Sequence, residues 1–336
     1  MKHAGILSLI GNTPLVRLDR LYPESEINLY AKLEGVSIGG SVKDRAARSI
    51  ISRAWARGEI GPGSTVIESS SGNMGIGLAQ ACLYYGLPFI CVVDPKATAV
   101  NVSIIRTYGA EVVEVTEPDP STGEFLPARI HKVQELMRQI PGAFWSNQYG
   151  NPDNSRAHHQ TLLEICEELD GRLDLLFLSA STCGQVRGCS DCIAEHGLAT
   201  EIWAVDAVGS VIFGGESGKR LVPGHGAALQ SGLYRDGMVS RVVYVSDADC
   251  VRGCRRLVQR EAILAGGSSG ALVSGIGKVL DELTPGLTCA VILPDRGERY
   301  LDTIYCDAWV KEHLGCVDHE VGAPVHQRAE EVPVHL

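Results

Sequence analysis

No apolar run in this 336-residue chain approaches the roughly 18 residues that a membrane-spanning helix requires. The opening, Met1-Lys2-His3-Ala4-Gly5-Ile6-Leu7, also lacks the apolar length of a secretory leader, so a cytoplasmic protein is expected. Basic residues are in deficit. Against 40 Asp and Glu stand 30 Lys and Arg, a net charge of −10, which argues against nucleic acid or an anionic membrane as partner. Internal repeats and low-complexity segments are missing, and so are paired cysteine knuckles. Of eleven cysteines only Cys189 and Cys192 form a CxxC, while Cys250 and Cys254 stand four apart in what reads as helix. A structural zinc site wants two such pairs in turn-rich loops. No metal is expected, and the cysteines read as reduced, mostly buried small apolar residues.

What is present begins with Gly39-Gly40-Ser41-Val42-Lys43-Asp44-Arg45. Glycines let the backbone take positive φ angles and pass close to a ligand. Helical spacing starts directly afterwards, with Ala47, Ile50, Ile51, Ala54 and Trp55 at i, i+3, i+4 intervals. Lys43 is therefore expected at the mouth of a helix, where an amine can be kept desolvated and its pKa lowered. A nucleophilic lysine that condenses with a carbonyl cofactor requires that setting. Taken alone, the heptapeptide fits an ordinary solvated lysine equally well. A second turn, Ser69-Ser70-Ser71-Gly72-Asn73-Met74-Gly75, follows a short apolar strand and precedes a helix that stops at Gly86. Successive small residues ahead of a helix present N–H groups and hydroxyls to one anionic group. Asn73 adds an amide that both donates and accepts.

Strand and helix patterns alternate along the chain. The spacing predicts helices over 44–57, 75–85, 98–108 and 124–139, with strands over 65–68, 87–93, 111–115 and 143–146 between them. Beyond these, helices are predicted over 155–169, 185–196, 247–264, 270–282 and 301–314, and strands over 173–179, 201–206, 241–245 and 287–293. Such alternation implies an α/β fold of parallel sheets flanked by helices, with ligands at the carboxyl ends of the strands. From about Gly315 the sequence loses periodicity and reads as a tail. A dinucleotide-binding unit fails in detail. Gly75-x-Gly77 needs a small residue three positions on and finds Gln80, and both glycines fall inside the expected helix.

The two turns together resemble the cysteine synthase and cystathionine β-synthase family of pyridoxal phosphate (PLP) enzymes. Gly11-Asn12-Thr13-Pro14-Leu15-Val16 is similar to that family's opening, Ser181-Thr182-Cys183-Gly184-Gln185 stands at the place of its phosphate-binding loop, Gly266-Gly267-Ser268-Ser269-Gly270 matches a further loop, and Leu293-Pro294-Asp295-Arg296-Gly297-Glu298-Arg299-Tyr300 resembles its late segment. The resemblance implies a fold type II, tryptophan synthase β-like architecture of two twisted-sheet domains. The smaller would span 36–146, and the larger, PLP-binding one would be built from 1–35 and 147–314, with 315–336 a flexible tail and the chain a homodimer. It implies pyridoxal 5'-phosphate bound covalently by Lys43, phosphate held by Ser181, Thr182, Cys183, Gly184 and Gln185, and a pyridine nitrogen facing Ser268. Ser70, Ser71, Gly72 and Asn73 would grip the substrate carboxylate, and Asn73 would also contact the cofactor's phenolic oxygen. The shared chemistry is loss of a β-leaving group from an amino acid, followed by addition of a nucleophile at Cβ. Serine opposite the ring nitrogen suits this, since it does not enforce a protonated ring as an aspartate would.

Departures from the family pattern cluster around the second substrate. Ser181 and Gln185 replace a glycine and a threonine, Arg129 stands where a small residue is usual, Tyr149 replaces a phenylalanine, and Arg296 replaces a serine. Sulfide needs none of these groups. A dianionic leaving group or a carboxylate-bearing nucleophile does, because buried charge demands a partner and arginine offers a bidentate fork. Alone, each arginine also fits a surface ion pair. The set is similar to one subgroup, the N-(2-amino-2-carboxyethyl)-L-glutamate synthases, which join O-phospho-L-serine to the amine of L-glutamate and so supply 2,3-diaminopropionate for siderophores and peptide antibiotics. The implied ligands are small amino acids, with Arg129, Tyr149 and Ser181 as substrate residues. The alternatives are a cysteine synthase using O-phosphoserine or O-acetylserine with sulfide, and a non-catalytic binding module, which would be expected to have lost Lys43.

Overall fold

The computed structural model describes residues 5–315. The tail expected from Gly315 lies, beyond that residue, outside the described residues. The chain opens with β1 (Leu15–Arg17) antiparallel to β2 (Asn28–Leu33), then enters α1 (Lys43–Ala56). β3 (Val66–Ser69), α2 (Asn73–Tyr85), β4 (Phe89–Val93), α3 (Ala99–Thr107), β5 (Glu111–Glu114), α4 (Phe125–Gln139) and β6 (Phe144–Trp145) follow. The strands of this stretch form one parallel sheet in the order β5-β4-β3-β6. β3 and β4 are buried at every position, as strands covered on both faces must be. Helix α2 stops at Gly86, whose φ of 69° is open to glycine without strain.

The chain continues through α5 (Pro152–Glu168), β7 (Leu175–Ser179), α6 (Gly184–His196), β8 (Glu201–Ala207) and β9 (Arg241–Val245). It closes with α7 (Asp247–Glu261), α8 (Gly267–Val279), β10 (Thr288–Leu293) and α9 (Asp307–Leu314). Strands from the two ends share a second sheet in the order β1-β2-β10-β7-β8-β9, parallel except for the edge strand β1. Strand patterning misses both β1 and β2. The helix expected over 301–314 is confined to Asp307–Leu314. The one expected over 155–169 begins earlier, because Asn151 caps it, accepting from Asp153 N at 2.9 Å, and Pro152 takes the first turn. The helix expected to reach 264 ends at Glu261, where Ala262 turns left-handed at φ 56°.

A buried ionic cluster fixes where α1 starts. Arg45 is 1% exposed and binds Glu34 at 2.7 Å and Glu164 of α5 at 2.7 Å. Lys32 of β2, fully buried, lies 3.2 Å from Glu164 and 2.7 Å from Glu168. Thr13 donates to Glu34 at 2.7 Å. Burial pushes Glu164 up, but hydrogen bonds and charge from Arg45, with Lys32 behind them, outweigh it and hold the carboxyl down at about 2. The first turn of α1, which carries Lys43, is thereby pinned to β2 and α5.

Candidate active site

Lys43 is the first residue of α1, delivered by Gly40 at φ 82°, a left-handed backbone that favours glycine. Gly39 N donates to Asp44 Oδ2 at 2.7 Å, which closes the turn. Burial lowers the Lys43 pKa, and the field of Asp295 works against that. The carboxyl end of β3 supplies the second loop. Ser70 is drawn inward: its Oγ accepts from Gly75 N at 3.0 Å and Gly72 N at 3.4 Å, satisfying donors that the start of α2 leaves open. Ser70 thus steadies the start of α2 through its oxygen, and its own hydroxyl hydrogen is left over alongside Ser71, Gly72 and Asn73.

Both ends of the Asn73 amide are engaged. Its Nδ2 donates to Asp295 Oδ2 at 2.8 Å, and its Oδ1 accepts from Arg299 Nη1. One hydrogen and one lone pair are left over. Arg299 also donates to Gly39 O at 2.6 Å, and Tyr300 OH to Asp295 Oδ2 at 2.5 Å. The late segment 295–300 thus ties the lysine turn to the Asn73 loop. Motif reading picked out that segment without assigning Asp295, Arg299 or Tyr300 a role. An aspartate just past the end of a buried apolar strand was the available signal.

Arg129 is no surface residue. At 9% exposure it reaches from α4 to Asp94 (Nε to Oδ2, 3.2 Å) and to Ser71 Oγ (3.4 Å). The Asp94 contact is a charge pairing without hydrogen-bond direction, since Nε has no hydrogen-bond partner. Tyr149 lies within the fields of Arg129 and Glu68; burial raises its hydroxyl pKa, and Arg129 opposes that. Arg296, by contrast, faces solvent and pairs with Glu298, the surface ion pair that each arginine alone also fitted.

The loop 181–185 follows β7 and opens α6. Cys183 takes φ 61°, a left-handed backbone that favours glycine, and no side chain caps the helix start. Thr182, Cys183, Gly184 and Gln185 are buried, Ser181 partly so, and Gln185 Nε2 has no hydrogen-bond partner. Ser231 Oγ lies 2.6 Å from Thr182 O and 2.9 Å from Tyr149 O, so its one hydroxyl hydrogen is shared between them and joins this loop to the Arg129 cluster. Ser268, in the first turn of α8, is buried. Its loop meets Asp295, for Gly266 N donates to Asp295 O at 3.2 Å. Two surface cavities of about 560 and 390 Å³ lie elsewhere, around Asp174 and Asp191, and include none of these residues. Chemistry, not volume, marks the site.

This donor set suits pyridoxal phosphate. The uncapped start of α6, with orphan N–H groups and the unpartnered Gln185 amide, fits a phosphate dianion. The desolvated Lys43 amine fits an aldehyde.

Comparison with known proteins points the same way. Residues 6–295 match the model of the pyridoxal-phosphate dependent enzyme family. The chain is 47% identical to an N-(2-amino-2-carboxyethyl)-L-glutamate synthase of Ralstonia nicotianae, over 91% of this chain and 90% of that protein. A synthase of the same name from Cupriavidus metallidurans is 44% identical over the same shares. Among solved structures, the O-acetylserine dependent cystathionine β-synthase of Helicobacter pylori superposes with a TM-score of 0.84 at 30% identity, covering 91% of this chain and 100% of that one. The chain therefore belongs to the pyridoxal-phosphate dependent enzymes, with a cysteine synthase-like fold.

Proposed function

We propose that this enzyme replaces the phosphate of O-phospho-L-serine with the amine of L-glutamate, giving N-(2-amino-2-carboxyethyl)-L-glutamate and phosphate. The observation that carries the reading is Arg129, a buried cation beside Ser71 and Tyr149. Neither a neutral acetyl group nor sulfide needs it, and both relatives named above are named for synthesis of this product.

Bound at Lys43, pyridoxal phosphate supplies an aldehyde that takes up the substrate amine and an electron sink that acidifies its α-carbon. The start of α6, with Thr182 and Gln185, would hold the cofactor phosphate, and Ser268 would meet the ring nitrogen. Ser71, Gly72 and Asn73 would hold the substrate carboxylate. Lys43 Nζ, kept basic enough to accept a proton yet desolvated enough to lose it, would take the α-proton. Arg129 and Tyr149 would receive the carboxylates of glutamate, with Ser181 offering a hydroxyl to either substrate.

We further infer a cytoplasmic homodimer that supplies 2,3-diaminopropionate for siderophore or antibiotic assembly. Among the described residues no helix is long and apolar enough to cross a membrane. Exposed Ile6, Leu9 and Leu83 would supply apolar surface for a second copy.

The test is direct. Purified enzyme is given O-phosphoserine with glutamate or with sulfide, and phosphate and the adduct mass are followed. Adduct with glutamate supports the proposal. Cysteine from sulfide, with glutamate inert, would establish a cysteine synthase instead.

A further inference from the structure

Asp295 is 3% exposed and stands just past β10. Its main chain is paired with the segment that leads into α1: Val42 N donates to Pro294 O at 2.7 Å, and Ser41 lies across from Asp295. Oδ2 accepts from Asn73 and Tyr300, as described above. Oδ1 is buried with no hydrogen-bond partner. It faces Gly266 so closely that a Cβ there would lie 2.1 Å away. A buried carboxylate oxygen without a partner is costly. The cations whose fields reach this one are Arg299 and Lys43. Arg299 directs its two Nη groups at Asn73 Oδ1 and Gly39 O. That leaves Lys43.

We propose that Asp295 is a positioning residue for Lys43: its carboxylate, set against the segment that leads into α1, is the buried counter-charge whose field steadies the ammonium whenever Nζ carries a proton. The proposal rests on the reading of Lys43 as the cofactor lysine. Burial lowers the lysine pKa and Asp295 raises it; burial raises the aspartate pKa, while Tyr300, Asn73, Arg299 and Lys43 lower it. Each thus favours the other's charged form. Apart from Asp44, the other titratable groups near the pair are uncharged at neutral pH. Burial pushes Tyr300 and Tyr305 up and Cys254 to about 12, and burial with Lys43 and Arg45 holds His158 far below its usual value. Asp44, at about 6 through burial, is committed to Gly39 N.

The experiment times cofactor capture by the cofactor-free full-length chain across a range of pH. Only neutral Nζ adds to the aldehyde carbon, forming the C–N bond as water leaves, so the rate climbs with pH and levels off at the Lys43 pKa. Borohydride and peptide mass mapping then verify where the cofactor was fixed. Asp295→Asn and Asp295→Ser remove the charge and destabilise the ammonium, so the half-maximal pH should fall by about one unit or more. Tyr300→Phe keeps the carboxylate and should leave the midpoint near that of the wild type. A merely structural aspartate would slow capture at every pH without moving the midpoint, which overturns the proposal. An equal shift in Tyr300→Phe does the same, since geometry and not charge would then be at work. If neither neutral variant folds and captures cofactor, Asp295 is a folding residue and the proposal is equally lost. Mass fixed elsewhere than Lys43 in the wild type overturns the lysine reading itself, and the pairing with it.

Discussion

At the scale of single residues, Arg129 links sequence departure to chemistry. Its burial follows from Asp94, which accepts its charge from the end of β4. Losing an arginine that pairs with a buried carboxylate typically costs about 2–5 kcal/mol, so Arg129→Ala should raise the glutamate requirement by orders of magnitude. Phosphate release from O-phosphoserine alone should persist. Collapse of that release with glutamate affinity intact would make Arg129 a leaving-group residue. Lys43→Ala should yield a colourless protein with no cofactor fixed by borohydride at that position; retained colour or fixed mass there would sink the assignment. Ser268→Ala should weaken cofactor retention or slow phosphate release while the fold survives. Ser268→Asp should protonate the ring and divert flux into side reactions. Wild-type behaviour in both variants would show that another residue occupies that position.

At the scale of elements, local pattern was readable where burial acts locally. The continuous apolar run of β4 and the glycine stop of α2 could be read from neighbours in sequence. β2 could not. A fully buried Lys32 interrupts its pattern, and the groups that accept that charge, Glu164 and Glu168, lie far along the chain on α5. The same holds for Asp295 and Arg129, whose meaning depends on partners that only tertiary structure brings near. Removing one member of a buried ion cluster typically costs about 3–5 kcal/mol. Arg45→Ala, which strands Glu34 and Glu164, should therefore lower unfolding stability by that order in urea titrations, and an effect below ~1 kcal/mol would show the cluster to be solvated. The pH dependence has a definite sign. The Glu164 pKa is depressed in the folded state, so its contribution is complete above its ordinary value of 4.5 and is lost as pH falls towards about 2. Acid unfolding of wild type should steepen in that window, and Glu164→Gln should flatten it.

At the scale of the whole molecule, the two sheets differ in how the chain reaches them. The β5-β4-β3-β6 sheet is drawn from one continuous stretch, whereas the other places β10 between β2 and β7. Removing everything from residue 287 onward should leave a chain that captures no cofactor, because β10 and the pairing of Pro294 with Val42 are gone; a yellow truncated protein with mass fixed at Lys43 would contradict this. The placement of β10 also has a consequence in time. During synthesis β2 emerges early and must wait, without its parallel neighbour, while residues 34–287 are made. The four-stranded sheet can close on the ribosome in the meantime. Lys43 leaves the exit tunnel long before Asp295 does. A nascent chain therefore carries an amine with no pocket around it, and uptake of the vitamin-derived cofactor becomes a record that translation has passed β10, the last strand of the described chain.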